Sequence, residues 1–334
     1  MVYRRIVVCC DGTENDSIGT DNPLTNVARL ARSLDTQIDD LGYIQVIHYQ
    51  TGIATGTSNI TNMYDAALGR GLHTDVKRAY NFICTNWSSR KDEIYLVGFS
   101  RGAYTVRCLA AFIDVIGLLT PYGLTHLNWL YNRWLDGTIT PEELRNSFSE
   151  GSLALQHLDN IYCLRDVTKI KACVVWDTVS ALGLPDSLSW LRPSRDKLAM
   201  VDNSVPGIVD NVFHALALNE RRSLFKPNIW SDSSKSRQSP LNIKQCWFLG
   251  AHSDIGGGYE DIGLANISLI WMVAQLKTYT HIKISYYALQ QLLLPQDISS
   301  SKGAERGSLS ITGFKSSAPT LSAHGSSHIA NYDP

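Results

Sequence analysis

The chain has no CxxC pair, no long basic run, no apolar stretch near the length of a membrane span and no phosphate-cradling glycine motif, and each absence removes a class of protein. Its seven cysteines, Cys9, Cys10, Cys84, Cys108, Cys163, Cys173 and Cys246, are odd in number, scattered and mostly set inside apolar runs. That pattern suits buried thiols in a reducing compartment, not a disulfide framework or a zinc site. The 30 Lys and Arg residues nearly cancel 31 Asp and Glu, with no basic face interleaved with aromatics, so nucleic acid is not an expected partner. No segment reaches the roughly 18 uninterrupted apolar residues of a membrane span. Arg4 and Arg5 precede only five apolar residues, Ile6 to Cys10, too few for a signal-peptide core. Thr51 to Thr57 and Gly256 to Gly258 match neither a Walker loop nor the dinucleotide fingerprint, and read as loops flanking a site. The expectation is a cytoplasmic protein with no transmembrane segment, no metal and no cofactor; the oligomeric state stays open.

What is present is ample material for a core: 334 residues, 44% of them hydrophobic, enough for one large domain or two small ones. Short β-branched runs alternate with helical patterns, the signal for parallel strands joined by crossover helices. The candidate strands are Arg5 to Cys10, Ile44 to Tyr49, Glu93 to Gly98, Ile170 to Trp176 and Ile243 to Leu249. Each is nearly continuous in apolar residues, as expected of strands covered on both faces. Between them, Leu24 to Leu34, Asp75 to Trp87, Ala103 to Leu118 and Leu264 to Leu276 carry apolar residues at helical spacing. The predicted architecture is a mostly parallel, doubly wound α/β sheet in a single catalytic domain over residues 1–298. A helical insertion from Thr120 to Asn160, carrying Trp129, Tyr131 and Trp134, and an irregular segment from Leu182 to Ser204 are candidates for a cap over the sheet. Residues 299–334, rich in Ser, Gly and Ala, form a tail that is either a loosely packed extension or disordered.

Chemistry centres on Gly98-Phe99-Ser100-Arg101-Gly102, which follows the apolar run Glu93 to Val97 and precedes the helical pattern from Ala103. A G-x-S-x-G sequence between strand and helix forms a sharp elbow that lifts the serine hydroxyl above the sheet, its glycines avoiding clashes with neighbouring backbone. Chance supplies three such fixed residues in about one chain in ten of this length, so position carries the argument. The competing reading is a serine that caps the following helix.

A serine nucleophile needs a base, and the base an orienting acid, in the chain order Ser, Asp or Glu, His. Asp177 follows the strand ending at Trp176, and His252 follows the strand ending at Leu249. Ser100, Asp177 and His252 thus stand beyond three successive predicted strands, at the edge where such sheets bind ligands. His214, on a helix expected over His214 to Leu218, is the main rival base. Asp254 is the main rival acid, with Asp202 and Asp210 behind it. Oxyanion donors are expected from the amide of Arg101 and from the loop Asp11-Gly12-Thr13 after the first strand. The alternative for that loop is an ordinary turn. Asp11 is a candidate to hold either the Arg101 side chain or the loop.

Five separated motifs coincide: Cys10-Asp11-Gly12-Thr13, Gly98 to Tyr104, Trp176-Asp177-Thr178-Val179, His214 to Arg222 and Trp247 to Tyr259. Together, over about Tyr3 to Leu276, the chain resembles an α/β-hydrolase family of fungi and bacteria long catalogued as a domain of unknown function. That family includes phospholipase effectors of the bacterial type VI secretion system. The resemblance implies a serine hydrolase whose triad maps onto Ser100, Asp177 and His252. It does not fix the substrate, since most members are uncharacterised, and the large membrane-anchoring region associated with the secreted phospholipases is not found here, which counts against a lipid substrate. Glu14 stands where the family commonly has an aromatic.

The leading expectation is therefore a soluble serine esterase or lipase-like hydrolase acting on a small-molecule or lipid ester. Two alternatives stand beside it: an acyltransferase, thioesterase or lactone-forming enzyme on the same fold, and a non-catalytic binding module.

Overall fold

Alternation of side chains along each strand divides the apolar residues between two helical layers, and one parallel sheet results. The computed structural model describes residues 2–12, 15–19, 21–52, 70–139, 164–165, 169–179, 203–222, 225–232 and 241–294. All of them fall in one unit, Met1–Gln296. In chain order the elements begin β1 (Tyr3–Cys10), α1 (Asn26–Ser33), β2 (Tyr43–Gln50), α2 (Arg70–Asn86), β3 (Glu93–Phe99) and α3 (Arg101–Ile116). A small antiparallel pair, β4 (Leu118–Leu119) with β5 (Leu164–Arg165), flanks α4 (Leu127–Leu135). The chain continues through β6 (Ile170–Trp176), β7 (Asn211–Ala217), β8 (Asn242–Phe248), α5 (His252–Gly256), α6 (Gly263–Tyr279) and α7 (Tyr286–Leu293).

The main sheet has the order β2-β1-β3-β6-β7-β8, and every pairing is parallel. On one face Ile6, Val8, Leu96 and Val175 pack with Val76 and Tyr80 of α2 and Leu109 and Phe112 of α3. On the other, Val7, Cys9, Val97 and Trp176 pack with Leu30 of α1 and Leu269 and Met272 of α6. Burial on both faces is why β1, β3 and β6 read as unbroken apolar runs, whereas β2 and β8, expected to be covered in the same way, are edge strands and only partly buried. The register aligns their carboxyl ends: Cys10 lies opposite Gly98, Phe99 opposite Trp176, Trp176 opposite Ala215 and Ala217 opposite Phe248. Loops leaving these strands therefore meet along one edge, where the order reverses about β1.

Two expectations change. The segment around His214 is β7, a buried strand, and not a helix. Its Ala and Leu residues favour helix, but β-forming Val212 and Phe213 and complete burial between β6 and β8 prevail. Consequently Asp177 and His252 follow β6 and β8, with β7 between them, and not successive strands. Of the cap candidates, the insertion is described only as far as residue 139; residues 182–202, Thr13 and the tail lie outside the described residues.

Buried polar bonds lock the helical layer behind the edge. Asn26 Nδ2 donates to Ile255 O at 2.9 Å, Ala265 O at 2.9 Å and Ser268 Oγ at 3.0 Å, and its Oδ1 accepts from Arg29 Nη1 at 2.9 Å. Arg29, also buried, donates to Leu292 O, tying α1 to the end of α7. Burial lowers the Arg29 pKa to about 10. Replacing Asn26 with Ala strands several of these groups without partners, and the expected loss is about 3 kcal/mol in urea unfolding.

Candidate active site

Ser100 occupies a single-residue elbow between β3 and α3 at φ 56° and ψ −122°. This strained conformation is rare outside glycine, and the surrounding backbone enforces it. A Cβ on Gly102 would stand 2.1 Å from Cys10 O, and one on Gly98 would stand 2.6 Å from Ala103 Cα. Only glycine at both positions lets α3 start against β1 and β3 at once. The Ser100 N–H donates to Trp176 O at 3.1 Å, anchoring the elbow to β6. Although Ser100 stands at the N-cap position of α3, its side chain makes no capping bond. Its positive φ also departs from the extended backbone of an ordinary cap, so the geometry disfavours the capping reading.

Asp177 leaves β6 with a positive φ of 38°. Its N–H donates to Ala215 O at 2.8 Å, its Oδ1 accepts from Ala217 N at 3.0 Å, and its Oδ2 pairs with His252 Nδ1 at 2.6 Å. Because an ionised carboxylate only accepts, the proton in that last bond belongs to Nδ1. His252, the first residue of α5, lies between Phe99 at 4.7 Å and Phe225 at 4.8 Å between ring centroids. Its Nε2 is buried and has no hydrogen-bond partner among the described residues, Ser100 included. The ring thus carries an unused acceptor on the side away from Asp177.

The rivals have other work. His214 is fully buried; its Nε2 lies 3.4 Å from both Thr178 N and Thr178 Oγ1, and its Nδ1 lies 3.3 Å from Gln245 Oε1. Burial, reinforced by the Arg107 charge, lowers its pKa to about 3, so it is a neutral brace for the turn after Asp177. Asp254 Oδ2 accepts Ala251 N at 2.8 Å within the β8–α5 turn. Asp210 faces Lys169 and Lys171 at the opposite end of β7, and Asp202 lies outside the described residues.

The loop after β1 lies against the serine: a Cβ on Gly12 would stand 3.1 Å from Ser100 Cβ. Its Gly12 N–H, however, donates to Asp11 Oδ1 at 2.8 Å, while Asp11 Oδ2 accepts Thr25 Oγ1 and Tyr49 OH, each at 2.6 Å. Asp11 therefore holds the loop, and the Gly12 amide points at that carboxylate. Burial pushes the Asp11 pKa up to about 6 against the pull of these three donors. Arg101 opens α3, whose amino end supplies first-turn amides and a positive dipole beside Ser100.

Sequence reasoning gave no role to Asn219, Glu220, Arg222 or Phe225. Asn219 N donates to Gly250 O at 3.0 Å and Gly250 N donates to Asn219 Oδ1 at 2.9 Å, clamping the chain before His252. Glu220 Oε2 accepts His252 N at 3.3 Å, and Arg222 reaches both Glu220 oxygens, at 2.9 and 2.7 Å. These hydrogen bonds from Arg222 lower the Glu220 pKa to about 2. No metal-holding group of three or more His, Cys, Asp or Glu side chains occurs among the described residues. No described helix is long and apolar enough to cross a membrane.

A parallel sheet with a serine elbow, beside a buried Asp–His pair at its carboxyl edge, has the architecture of the α/β-hydrolase fold. Residues 4–275 match the model of the type VI secretion phospholipase effector Tle1-like catalytic domain, and the chain belongs to that family. A relative in Saccharomyces cerevisiae, the uncharacterized protein YEL023C, is 27% identical over 239 residues, covering 67% of this chain and 32% of that protein. Among solved structures, an uncharacterized protein from Pseudomonas aeruginosa shares 16% identity at a TM-score of 0.44, over 88% of this chain and 49% of that one. The Tle1 effector bound to the VgrG spike shares 20% identity at a TM-score of 0.41, over 78% of this chain and 52% of that one. The chain thus spans about a third of the yeast relative's length and about half of each structural relative's.

Two outcomes follow from this geometry. Gly102→Ala drives a methyl into Cys10 O and is expected to cost about 3 kcal/mol or more in chemical denaturation. The Glu220 pKa is lowered in the fold, so its contribution is complete above about pH 4.5 and is lost as pH falls through about 2. Acid unfolding of Glu220→Gln should therefore show a flatter dependence on pH across that window, measured by circular dichroism.

Proposed function

We propose that this chain is a serine hydrolase of carboxylic esters, working through Ser100, His252 and Asp177. The observation that carries the reading is the 2.6 Å Asp177–His252 bond joined to a buried, unpartnered Nε2 on the same ring. Nε2 takes the proton of Ser100 Oγ as the oxygen attacks the ester carbonyl, and Asp177 orients the ring and offsets its positive charge. The Arg101 amide and the loop leaving Gly12 receive the oxyanion, reinforced by the positive end of α3. The Gly12 amide itself is turned to Asp11, so the Arg101 amide is the described donor of this reading. Collapse of the tetrahedral intermediate expels the alcohol, which takes its proton from His252. Water then attacks the acyl-enzyme by the same route reversed.

The family is named for phospholipase effectors, which supports testing phospholipids beside soluble esters. Cys9, Cys10, Cys108 and Cys173 are buried thiols outside any disulfide, which supports a reducing setting. The test is turnover of p-nitrophenyl esters of increasing chain length, of phospholipids and of thioesters. Ser100→Ala should abolish turnover of every ester that the native chain cleaves, and full activity in that variant would overturn the reading. Asp177→Asn should retain the fold and lower kcat by about 10⁴-fold, because the ring loses its tautomer and its counter-charge together.

A further inference from the structure

His252 opens a helix of only five residues, too short to hold its first residue by its own hydrogen bonds. The support comes from the loop after β7. The Arg222 guanidinium donates through Nε to Glu220 Oε1 at 2.9 Å and through Nη2 to Glu220 Oε2 at 2.7 Å, and the Arg222 main-chain N–H adds a bond to Oε1 at 2.8 Å. So fixed, Glu220 Oε2 accepts the main-chain N–H of His252 at 3.3 Å, satisfying a first-turn donor of α5. The same guanidinium lies 3.6 Å from the centroid of the Phe225 ring. Phe225 in turn meets the His252 imidazole edge to face at 79°, and Phe99 meets the same ring at 32°. The Glu220 side chain is 6% exposed and that of Arg222 is 55% exposed, so the carboxylate is inside and the cation covers it.

We propose that Glu220 and Arg222 are a positioning pair for His252, with one arm through the Glu220 carboxylate to the main chain and the other through Phe225 to the ring. The proposal rests on the serine-hydrolase reading for its effect on rate, while its geometric core does not depend on that reading. The two arms fix the ring so that Nδ1 stays on Asp177 and Nε2 faces away from it. The pair is also electrically balanced. Among the described residues, the charged groups facing His252 are Asp177 beyond β6, bonded to its ring, and Glu220 with Arg222 beyond β7; Asp254 on α5 itself is turned to the Ala251 amide. Removing either member leaves a net charge of known sign beside the imidazole.

That sign separates positioning from general loosening. Glu220→Gln leaves the Arg222 cation uncompensated and disfavours the imidazolium, so the acid limb of kcat/KM should move to lower pH. Arg222→Gln leaves the Glu220 anion and should move the same limb to higher pH. Both variants should lose about 10-fold or more in kcat at the plateau, because the ring is no longer held to within a fraction of an ångström. Loosening alone moves both limbs in one direction, and that result, or no movement in either folded variant, would overturn the proposal. A second readout is independent of turnover. In Ser100→Ala protein the low-field proton resonance of the Nδ1–Asp177 bond should be sharp, and adding the near-isosteric Glu220→Gln should broaden or shift it at pH 7 with the fold retained. An unchanged resonance contradicts the proposal even if Arg222→Gln fails to fold. If the native chain cleaves no ester while Glu220→Gln still perturbs this resonance, the hydrolase reading fails and the positioning pair stands.

Discussion

One oxygen of the Asp177 carboxylate accepts the amide of Ala217 at the end of β7, and the other accepts the imidazole of His252 beyond β8. The side chain is fully buried, so neither bond competes with water. Through it the orientation of a loop residue is tied to the rigid sheet. The positive φ of Asp177, its N–H bond to Ala215 O and the neutral His214 braced against Thr178 all serve to hold that carboxylate in place. If the carboxylate moved, the ring would lose its tautomer, and the free Nε2 its direction.

The elbow reaches the same edge by a separate construction. Trp176, the last residue of β6, accepts the Ser100 amide, so the serine is tied to the residue directly before Asp177. Phe99, the residue before Ser100, lies against the His252 ring. Position in this site is thus transmitted by adjacency along three chain segments, two leaving the buried strands β3 and β6 and the third leaving the edge strand β8. The cost is backbone strain at Ser100 and Asp177, offset by packing on both faces of the sheet. Glycine at 98 and 102 is what lets the segments approach so closely.

Much of this arrangement is legible in the amino-acid pattern, and the failures have physical causes. Strands such as Ile170–Trp176 announce themselves because burial on both faces leaves no polar side chain to interrupt them. The strand at Asn211–Ala217 escaped because Ala and Leu carry helical propensity that sheet packing overrides. The glycines at 98 and 102 are readable since a steric requirement leaves one residue type. The direction of the Gly12 amide is not, because it depends on where the neighbouring Asp11 carboxylate is held by Thr25 and Tyr49, far along the chain. Glu220, Arg222 and Phe225 lie in an aperiodic loop, where spacing carries no information about which side chain meets which ring. The only outward sign, and for Glu220 and Arg222 alone, was membership of a motif running from His214 to Arg222.

The central claim is that Ser100 is a nucleophile activated by the Asp177–His252 pair. Reaction of the native chain with a fluorophosphonate probe, followed by intact-mass analysis and peptide mapping, tests it most directly. The account predicts one adduct, located on Ser100, and its loss in folded His252→Ala protein. An adduct on another serine, no adduct on the native chain, or undiminished labelling without His252 would contradict it.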